Sequence, residues 1–191
     1  KAIAAVTMSM PVLFFMTSLG IGLAVAGSTL TAQYFGAKNE KMLSHAAAQT
    51  MLMVLIISAL FSLIGYIFAP EILKLLRTDT SILKDAQAYL RISFLGLIFN
   101  FCFFIFQSIM RSIGRPQTPV YIVIGTVVLN FVLDPLFMFG YGPIPALGVT
   151  GVALATIGTQ SLAAFIGLGM LFAGKHGIHL HYRDFLPDFA F

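Results

Sequence analysis

Long stretches without a formal charge constrain this chain more than any other feature of its sequence. No Asp, Glu, Lys or Arg occurs at residues 2–37, 42–70, 92–110 or 135–174. Each stretch exceeds the roughly 18 apolar residues that are typical of a membrane-crossing helix. The chain is only 9% charged, whereas soluble domains carry about 25% charged residues. The sequence therefore predicts an all-α, polytopic bundle embedded in a lipid bilayer.

The charge-free stretches and the turn residues between them predict five transmembrane helices. These spans cover residues 3–34, 43–69, 88–110, 117–140 and 147–173. The segment 70–91 mixes charges with Leu and Ile, which predicts a short amphipathic helix at the membrane interface. We thus expect a transmembrane unit over residues 1–174, followed by a cytoplasmic connector over residues 175–191.

The basic residues predict how the spans are oriented. Lys38 and Lys41, Arg111 and Arg115, and Lys175 and Arg183 occupy alternate connectors, whereas residues 140–148 carry no charge. The connector at 70–91 departs from this pattern, with four basic residues against three acidic ones. Basic connectors prefer the cytoplasmic side. The first span is therefore predicted to run from outside to inside, with the C-terminal tail in the cytoplasm. The 11 Lys and Arg residues form no basic face, so we expect no nucleic-acid partner.

One carboxylate lies inside a predicted span. Asp134 is the only acid between Asp85 and Asp184. Acids at membrane depth cost about 2.5–3.5 kcal/mol on insertion scales, and they usually serve an ion or proton pathway. Asn130 and Thr126 lie one and two turns earlier on the same face, so the carboxylate could exchange a proton or bind Na⁺ together with their oxygens. The alternative is an Asp134 near the membrane surface that only caps its helix.

Three residues around this acid are predicted to form a hinge. Pro135 has no backbone N–H, which leaves the carbonyl of Phe131 without its helical partner. Gly140 and Gly142 follow in the connector. A bend at these positions would couple ion binding to movement.

Other polar residues are candidates for the lining of a cavity. Asn100 and Gln107 lie among phenylalanines in the third span, and Gln33 ends the first. The alternative for the phenylalanines of the third span is that they pack in the core or face lipid. The alternative for Gln33 is a hydrogen bond at the end of its helix. Thr156, in the last span, is interpreted from the residues alone as a hydroxyl bonded to its own helix.

Small residues recur every fourth position in the last span, at Gly151, Ala155, Thr159, Ala163 and Gly167. Such a stripe predicts that a neighbouring helix approaches closely.

The sequence contains no arrangement typical of an enzyme or of a structural metal site. His176, His179 and His181 in the tail lack a supporting second cluster. We find no Ser-His-Asp, Cys-His or paired-carboxylate pattern. We therefore predict no catalytic residues, no cofactor, and no metal beyond Na⁺ at Asp134.

Five segments occur in an order and spacing that resemble the multidrug and toxic compound extrusion (MATE) family. They are TAQYFGAKNEKML, PEILKLLRTDTSILKDAQAYLRISFLG, MRSIGRPQTP, LNFVLDPLFMFG and PALGVTGVALAT. Family members have twelve transmembrane helices in two six-helix lobes. The resemblance implies that this chain is helices two to six of the N-terminal lobe, without the first helix and the C-terminal lobe, and hence a piece of a longer protein.

The resemblance also implies a function and a site. Family members in the plasma (inner) membrane of prokaryotes are secondary active antiporters that export drug-like, often cationic organic compounds in exchange for H⁺ or Na⁺. Asn130 and Asp134 match the family's ion site, and Thr156 matches its threonine, which replaces the interpretation given above. The acid that the family carries on its first helix has no counterpart in this sequence.

Two other functions stay open. A lipid-linked oligosaccharide flippase of the same superfamily would line its cavity with Arg and Lys, and we expect no basic residue inside any span. A non-transporting membrane scaffold would not need Asp134.

Overall fold

A computed structural model describes residues 2–76, 78–79, 82–141 and 145–174. Over these residues the chain forms five α-helices, and each is long and apolar enough to cross a membrane. Their bounds are α1 Ala2–Gly36, α2 Glu40–Leu75, α3 Leu83–Ser112, α4 Gln117–Phe139 and α5 Gly148–Phe172. The all-α membrane bundle predicted from the charge-free stretches is confirmed.

The connector between α2 and α3 differs from the prediction. α2 continues through Pro70 to Leu75, and α3 begins at Leu83, so residues 70–91 do not form one separate interfacial helix. Proline removes only one helical hydrogen bond. Ala69 and Leu73, one turn apart, are both fully buried. Their packing therefore holds the last turns of α2 in the bundle despite the proline.

α3 is the central helix of the bundle. It packs against α1, α2 and α5, whereas α4 contacts almost only α5. Phe94, Phe101 and Phe106 are 0–1% exposed, because they lie where α3 meets its neighbours. The core interpretation of the aromatic residues is thus confirmed for this part of the third span. Phe103 and Phe104 instead line a cavity.

The small residues of α5 allow the close helix packing that the sequence predicted. All five residues of the stripe are buried. A Cβ atom at Gly151 would collide with the carbonyl oxygen of Phe137 in α4. A Cβ atom at Gly167 would lie 2.8 Å from the ring of Phe106 in α3. The stripe therefore lets α5 pack tightly between α3 and α4.

Candidate functional site

The acid of α4 is hydrogen-bonded to the amide one turn before it. Nδ2 of Asn130 donates to Oδ1 of Asp134 over 3.2 Å, and both side chains are partly buried. The next residues around the helix, Phe131 and Val132, are 81% and 57% exposed. The polar pair thus occupies the more protected side of α4.

Asp134 lies well inside its helix. Asp134 precedes the helix end at Gly140 by six residues, or ~9 Å along the axis. The carboxylate therefore lies within the membrane-spanning helix, with the amide of Asn130 as its hydrogen-bond donor.

Two adjoining cavities lie inside the bundle, and Asn130 borders one of them. The first, of about 240 Å³, lies between α3, α4 and α5 and is called the α4 cavity. The second, of about 190 Å³, lies between α1, α3 and α5 and is called the α1 cavity. Asn100, Thr156 and Gln160 line both of them. These three side chains therefore form a polar partition in the interior of the bundle.

The α4 cavity brings together residues from three helices that the sequence analysis named. Thr126 and Asn130 of α4, Asn100 of α3 and Thr156 of α5 all contribute to its lining. Each carries an oxygen that can act as a ligand of a hard cation. Asp134 itself is not part of the lining and reaches the cavity through Asn130.

Asn100 has an unsatisfied oxygen at this place. Its Oδ1 atom is buried and forms no hydrogen bond with the residues that the structure describes. An orphaned buried carbonyl costs about 1–3 kcal/mol, and such an atom is normally satisfied by water or an ion. We therefore expect water or an ion to bind favourably at Asn100, between the two cavities.

The hydroxyl of Thr156 is bonded to its own helix and its oxygen also borders the α4 cavity. Its hydroxyl donates to the carbonyl oxygen of Val152 over 3.0 Å, as the helix-bonded interpretation requires. The hydroxyl of Thr126 donates in the same way to Ile122 over 3.0 Å. Since a hydroxyl that donates keeps two acceptor lone pairs, both oxygens stay suitable as ligands in the α4 cavity.

The two other predicted cavity residues lie elsewhere. Gln33 lines a separate, wide groove of about 650 Å³ between α1 and α3, together with Ser108 and Arg111. Gln107 lines none of the cavities described here. The structure therefore brings Asn100 to the site and separates Gln33 and Gln107 from it.

Several residues of the site were not named from the sequence. Tyr89, Ser93 and Thr17 line the α1 cavity, and Gln160 lines both. Tyr89, Ser93 and Asn100 fall on one face of α3 at helical spacing. That polar stripe along an otherwise apolar helix is the signal that could have identified them.

The region of the predicted hinge is helical up to Phe139. Pro135 lies within α4, and Gly140 ends the helix with φ 77°, a backbone conformation that favours glycine. The N–H of Gly140 donates to the carbonyl oxygen of Leu136 over 3.1 Å. Gly142 lies outside the described residues.

The expectation of no basic residue inside any span is wrong at one edge, because Arg91 falls in the first turn of the predicted span 88–110 and in helix α3. It escapes the analysis of charge-free stretches since it stands just before residue 92. Arg91 lines neither cavity, so a basic lining of the flippase type is not found among the described residues of either. The tail residues Lys175, Arg183, His176, His179 and His181 lie outside the described part of the chain.

Comparisons with known proteins agree with this architecture. The sequence model of the MatE family matches residues 1–136. The chain is 33% identical over 167 residues to the probable multidrug resistance protein YoeA of Bacillus subtilis, covering 87% of this chain and 36% of that protein. It is 28% identical over 176 residues to the FAD transporter of Shewanella oneidensis, covering 92% and 39%.

Solved structures show the same fold. An inward-facing multidrug resistance MATE transporter superposes with a TM-score of 0.89 at 23% identity, covering 99% of this chain and 42% of that one. A MATE protein in the bent conformation gives a TM-score of 0.89 at 22% identity and the same coverage. The chain thus spans little more than a third of the curated relatives it matches. Because the family match extends over more than half of its residues, the chain belongs to the MatE family, whose members are transporters rather than enzymes.

Proposed function

We propose that this chain forms helices two to six of the N-terminal lobe of a secondary active exporter. The complete protein exchanges H⁺ or Na⁺ for drug-like, often cationic organic compounds, and Asp134 with Asn130 and Thr156 binds the coupling ion. One observation carries this proposal: the hydrogen-bonded Asn130–Asp134 pair lies beside a polar cavity inside a membrane bundle. Relatives named multidrug resistance or export proteins support it.

The chemistry of the site suits a small cation. Nδ2 of Asn130 donates to Asp134, which leaves the amide oxygen available to an ion in the α4 cavity. The hydroxyls of Thr126 and Thr156 and the amide oxygen of Asn100 supply further neutral oxygens in its wall. Asp134 supplies the single negative charge of this set. A bound Na⁺ or a proton on the carboxylate would neutralise that charge.

Neutralisation provides the coupling step. A carboxylate accepts the N–H of Asn130, and its attraction for that donor weakens once a proton or Na⁺ occupies it. We infer that this change alters the packing of α4 near Pro135 and favours the state that releases substrate. Rocking of one lobe against the other then exposes the substrate to the outside. An ion drives this step only by binding the two states with different affinities.

The polarity of the site bears on the substrate. The described linings of the α4 and α1 cavities carry neutral polar groups and no basic side chain. An anionic substrate, such as the one named for the Shewanella FAD transporter, or a lipid pyrophosphate would require cationic partners. The acid beside the cavity instead favours cationic compounds.

The test is Asp134→Asn in the intact protein, measured as drug efflux from proteoliposomes under a proton gradient and, separately, a sodium gradient. Loss of efflux under one gradient identifies the coupling ion. Asp85→Asn is the matched control, because Asp85 is exposed in the first turn of α3. Wild-type efflux by Asp134→Asn under both gradients would contradict the ion-binding role.

A further inference from the structure

We propose that Arg91 and Tyr66 form a binding site for the phosphate group of a membrane phospholipid, at the bilayer edge nearest the α2–α3 connector. The guanidinium carbon of Arg91, in α3, lies 5.2 Å from the ring centroid of Tyr66, in α2. This pair is separate from the α4 and α1 cavities, because neither residue lines them. It therefore does not depend on the proposed ion site.

The length of α3 places Arg91 at the boundary of the hydrocarbon core. Arg91 and Arg111 are twenty positions apart in the sequence, and residues 92–110 between them carry no charge. At 1.5 Å per residue the two arginines are ~30 Å apart. The hydrocarbon core of a bilayer is also about 30 Å thick. The two arginines therefore fall at its two edges.

The surroundings of the pair face lipid. Leu95, one turn from Arg91 towards the membrane centre, is 50% exposed. On α2, Ile67 and Phe68 are 55% and 51% exposed, and Tyr66 is 39% exposed. Large apolar side chains that are exposed on a transmembrane bundle contact acyl chains, and tyrosine is enriched where those chains meet the headgroups. The pair thus lies on the outer surface, at headgroup level.

The charge of Arg91 has no acidic partner in the described part of the chain. Its Nε atom is buried and forms no hydrogen bond there. With the Gln87 amide turned to accept, its oxygen is 3.2 and 3.3 Å from Nη1 and Nη2. A neutral amide does not balance the charge, and an unbalanced cation at membrane depth is costly.

A phosphodiester supplies what this arrangement lacks. Nη1 and Nη2 each carry a second N–H beside the one that faces Gln87, and these can donate charge-assisted hydrogen bonds to phosphate oxygens. The fixed fork of the guanidinium can thus serve Gln87 and a phosphate together, which a lysine ammonium does not reproduce. Lys84, two turns from Arg91 on the same face of α3, is exposed and adds positive charge on the water side. Phospholipid headgroups are present at this depth at high local concentration. The lipid is therefore the source of phosphate that the position favours.

The experiment is native mass spectrometry of the intact protein with phosphatidylglycerol in detergent. We expect Arg91→Gln to reduce the retained lipid about tenfold, because the charge-assisted hydrogen bonds from its Nη atoms to the phosphate are lost. Lys41→Gln is the control, because it likewise removes one positive charge, at an exposed position at the opposite end of α2. Its lipid retention should equal that of the wild type.

Two further arms identify the ligand. Monogalactosyldiacylglycerol, which has acyl chains but no phosphate, should not be retained, and millimolar inorganic phosphate should not displace phosphatidylglycerol. Equal retention of the galactolipid, displacement by free phosphate, or wild-type retention by Arg91→Gln would each overturn the proposal. If Arg91→Gln does not purify as a folded protein, Arg91→Lys decides. It keeps the charge without the planar fork, and we expect reduced retention, so that full retention would overturn the proposal.

Discussion

Asn100 shows how a single side chain can mark a binding site. Most buried polar atoms are hydrogen-bonded, because an unpaired buried atom loses its hydrogen bonds to water and so lowers the stability of the fold. Its Oδ1 atom is nevertheless buried without a hydrogen bond to any described residue, where the α4 and α1 cavities meet. We therefore expect the Oδ1 atom of Asn100 to receive its hydrogen bond from a bound ion, water molecule or substrate.

We predict that Asn100→Leu separates stability from transport. Removing the orphaned oxygen should leave the unfolding temperature of the intact protein unchanged or higher. Loss of one hydrogen bond to an ion or its water should reduce ion-driven efflux about tenfold, equivalent to ~1.4 kcal/mol. Gln107→Leu is the control, since Gln107 is an amide on the same helix that lines no described cavity. Equal efflux by the two variants would contradict a role for Asn100.

Thr156 yields a second prediction at this scale. Thr156→Val keeps the shape of the side chain and removes the hydroxyl, whereas Thr156→Ser keeps the hydroxyl. If the oxygen is a ligand, the valine variant should require about tenfold more coupling ion for half-maximal efflux, while the serine variant should resemble the wild type. Because the hydroxyl also bonds to Val152, unfolding temperatures must be measured alongside. Matching ion dependence in both variants would show that the hydroxyl serves the helix only.

At the scale of the helices, the sequence predicted the number and order of the elements well. The reason is that hydrocarbon excludes charge, so each charge-free stretch reports a span directly. The end of α2 could not be predicted in this way, because local chemistry at Pro70 favours a stop and tertiary packing of Ala69 and Leu73 overrides it. The stripe in α5 was predicted, but its partners were not, since spacing does not name the neighbouring helix.

The same limit applies to the candidate site. Asn130 and Asp134 could be paired from sequence, because a separation of four residues in a helix fixes their proximity. Asn100 and Gln107 share a helix and similar chemistry, and only the packing of α3 against α5 places one at the cavity and the other away from it. The position of Arg91 within the third span was missed, because a charged residue directly before a charge-free stretch is read as the end of the preceding connector.

The glycines of α5 allow a matched test of the packing. Gly167→Ala would bring a methyl group within 2.8 Å of the Phe106 ring, and we predict a loss of about 1–3 kcal/mol from overpacking. Gly169→Ala meets nothing within 4 Å, and its higher helix propensity should stabilise by about 0.5–1 kcal/mol. Thermal unfolding of both variants measures the difference. A Gly167→Ala variant as stable as Gly169→Ala would show that α3 and α5 are not in close contact there.

At the scale of the whole bundle, the orientation in the membrane is predicted from the distribution of basic residues among the connectors. If each of the five helices crosses the bilayer once, successive connectors fall on alternate sides. Cys102 is the single cysteine of the sequence and is 3% exposed, so thiol reagents have little background reaction in this part of the protein. This makes the orientation directly measurable.

We predict that Ala37→Cys reacts with a membrane-impermeant maleimide only from the cytoplasmic side. Tyr141→Cys should react only from the outside, because an odd number of membrane crossings separates the two positions. Both residues are exposed at connectors, and the parent with its native cysteines is the control. Labelling of both variants from one side would contradict the five-span topology, and reversed labelling would contradict the orientation.

The packing of α4 has a consequence for how such a protein could work. Pro119 is the only buried residue of this helix among those described, and the helix rests almost entirely on α5. Tilting α4 would therefore disturb few interior contacts. The contacts of the buried phenylalanines of α3 with α1, α2 and α5 would be kept. Asp134 thus lies on a helix that is only weakly restrained by packing, so a change in its charge would act on an element that can tilt at low cost.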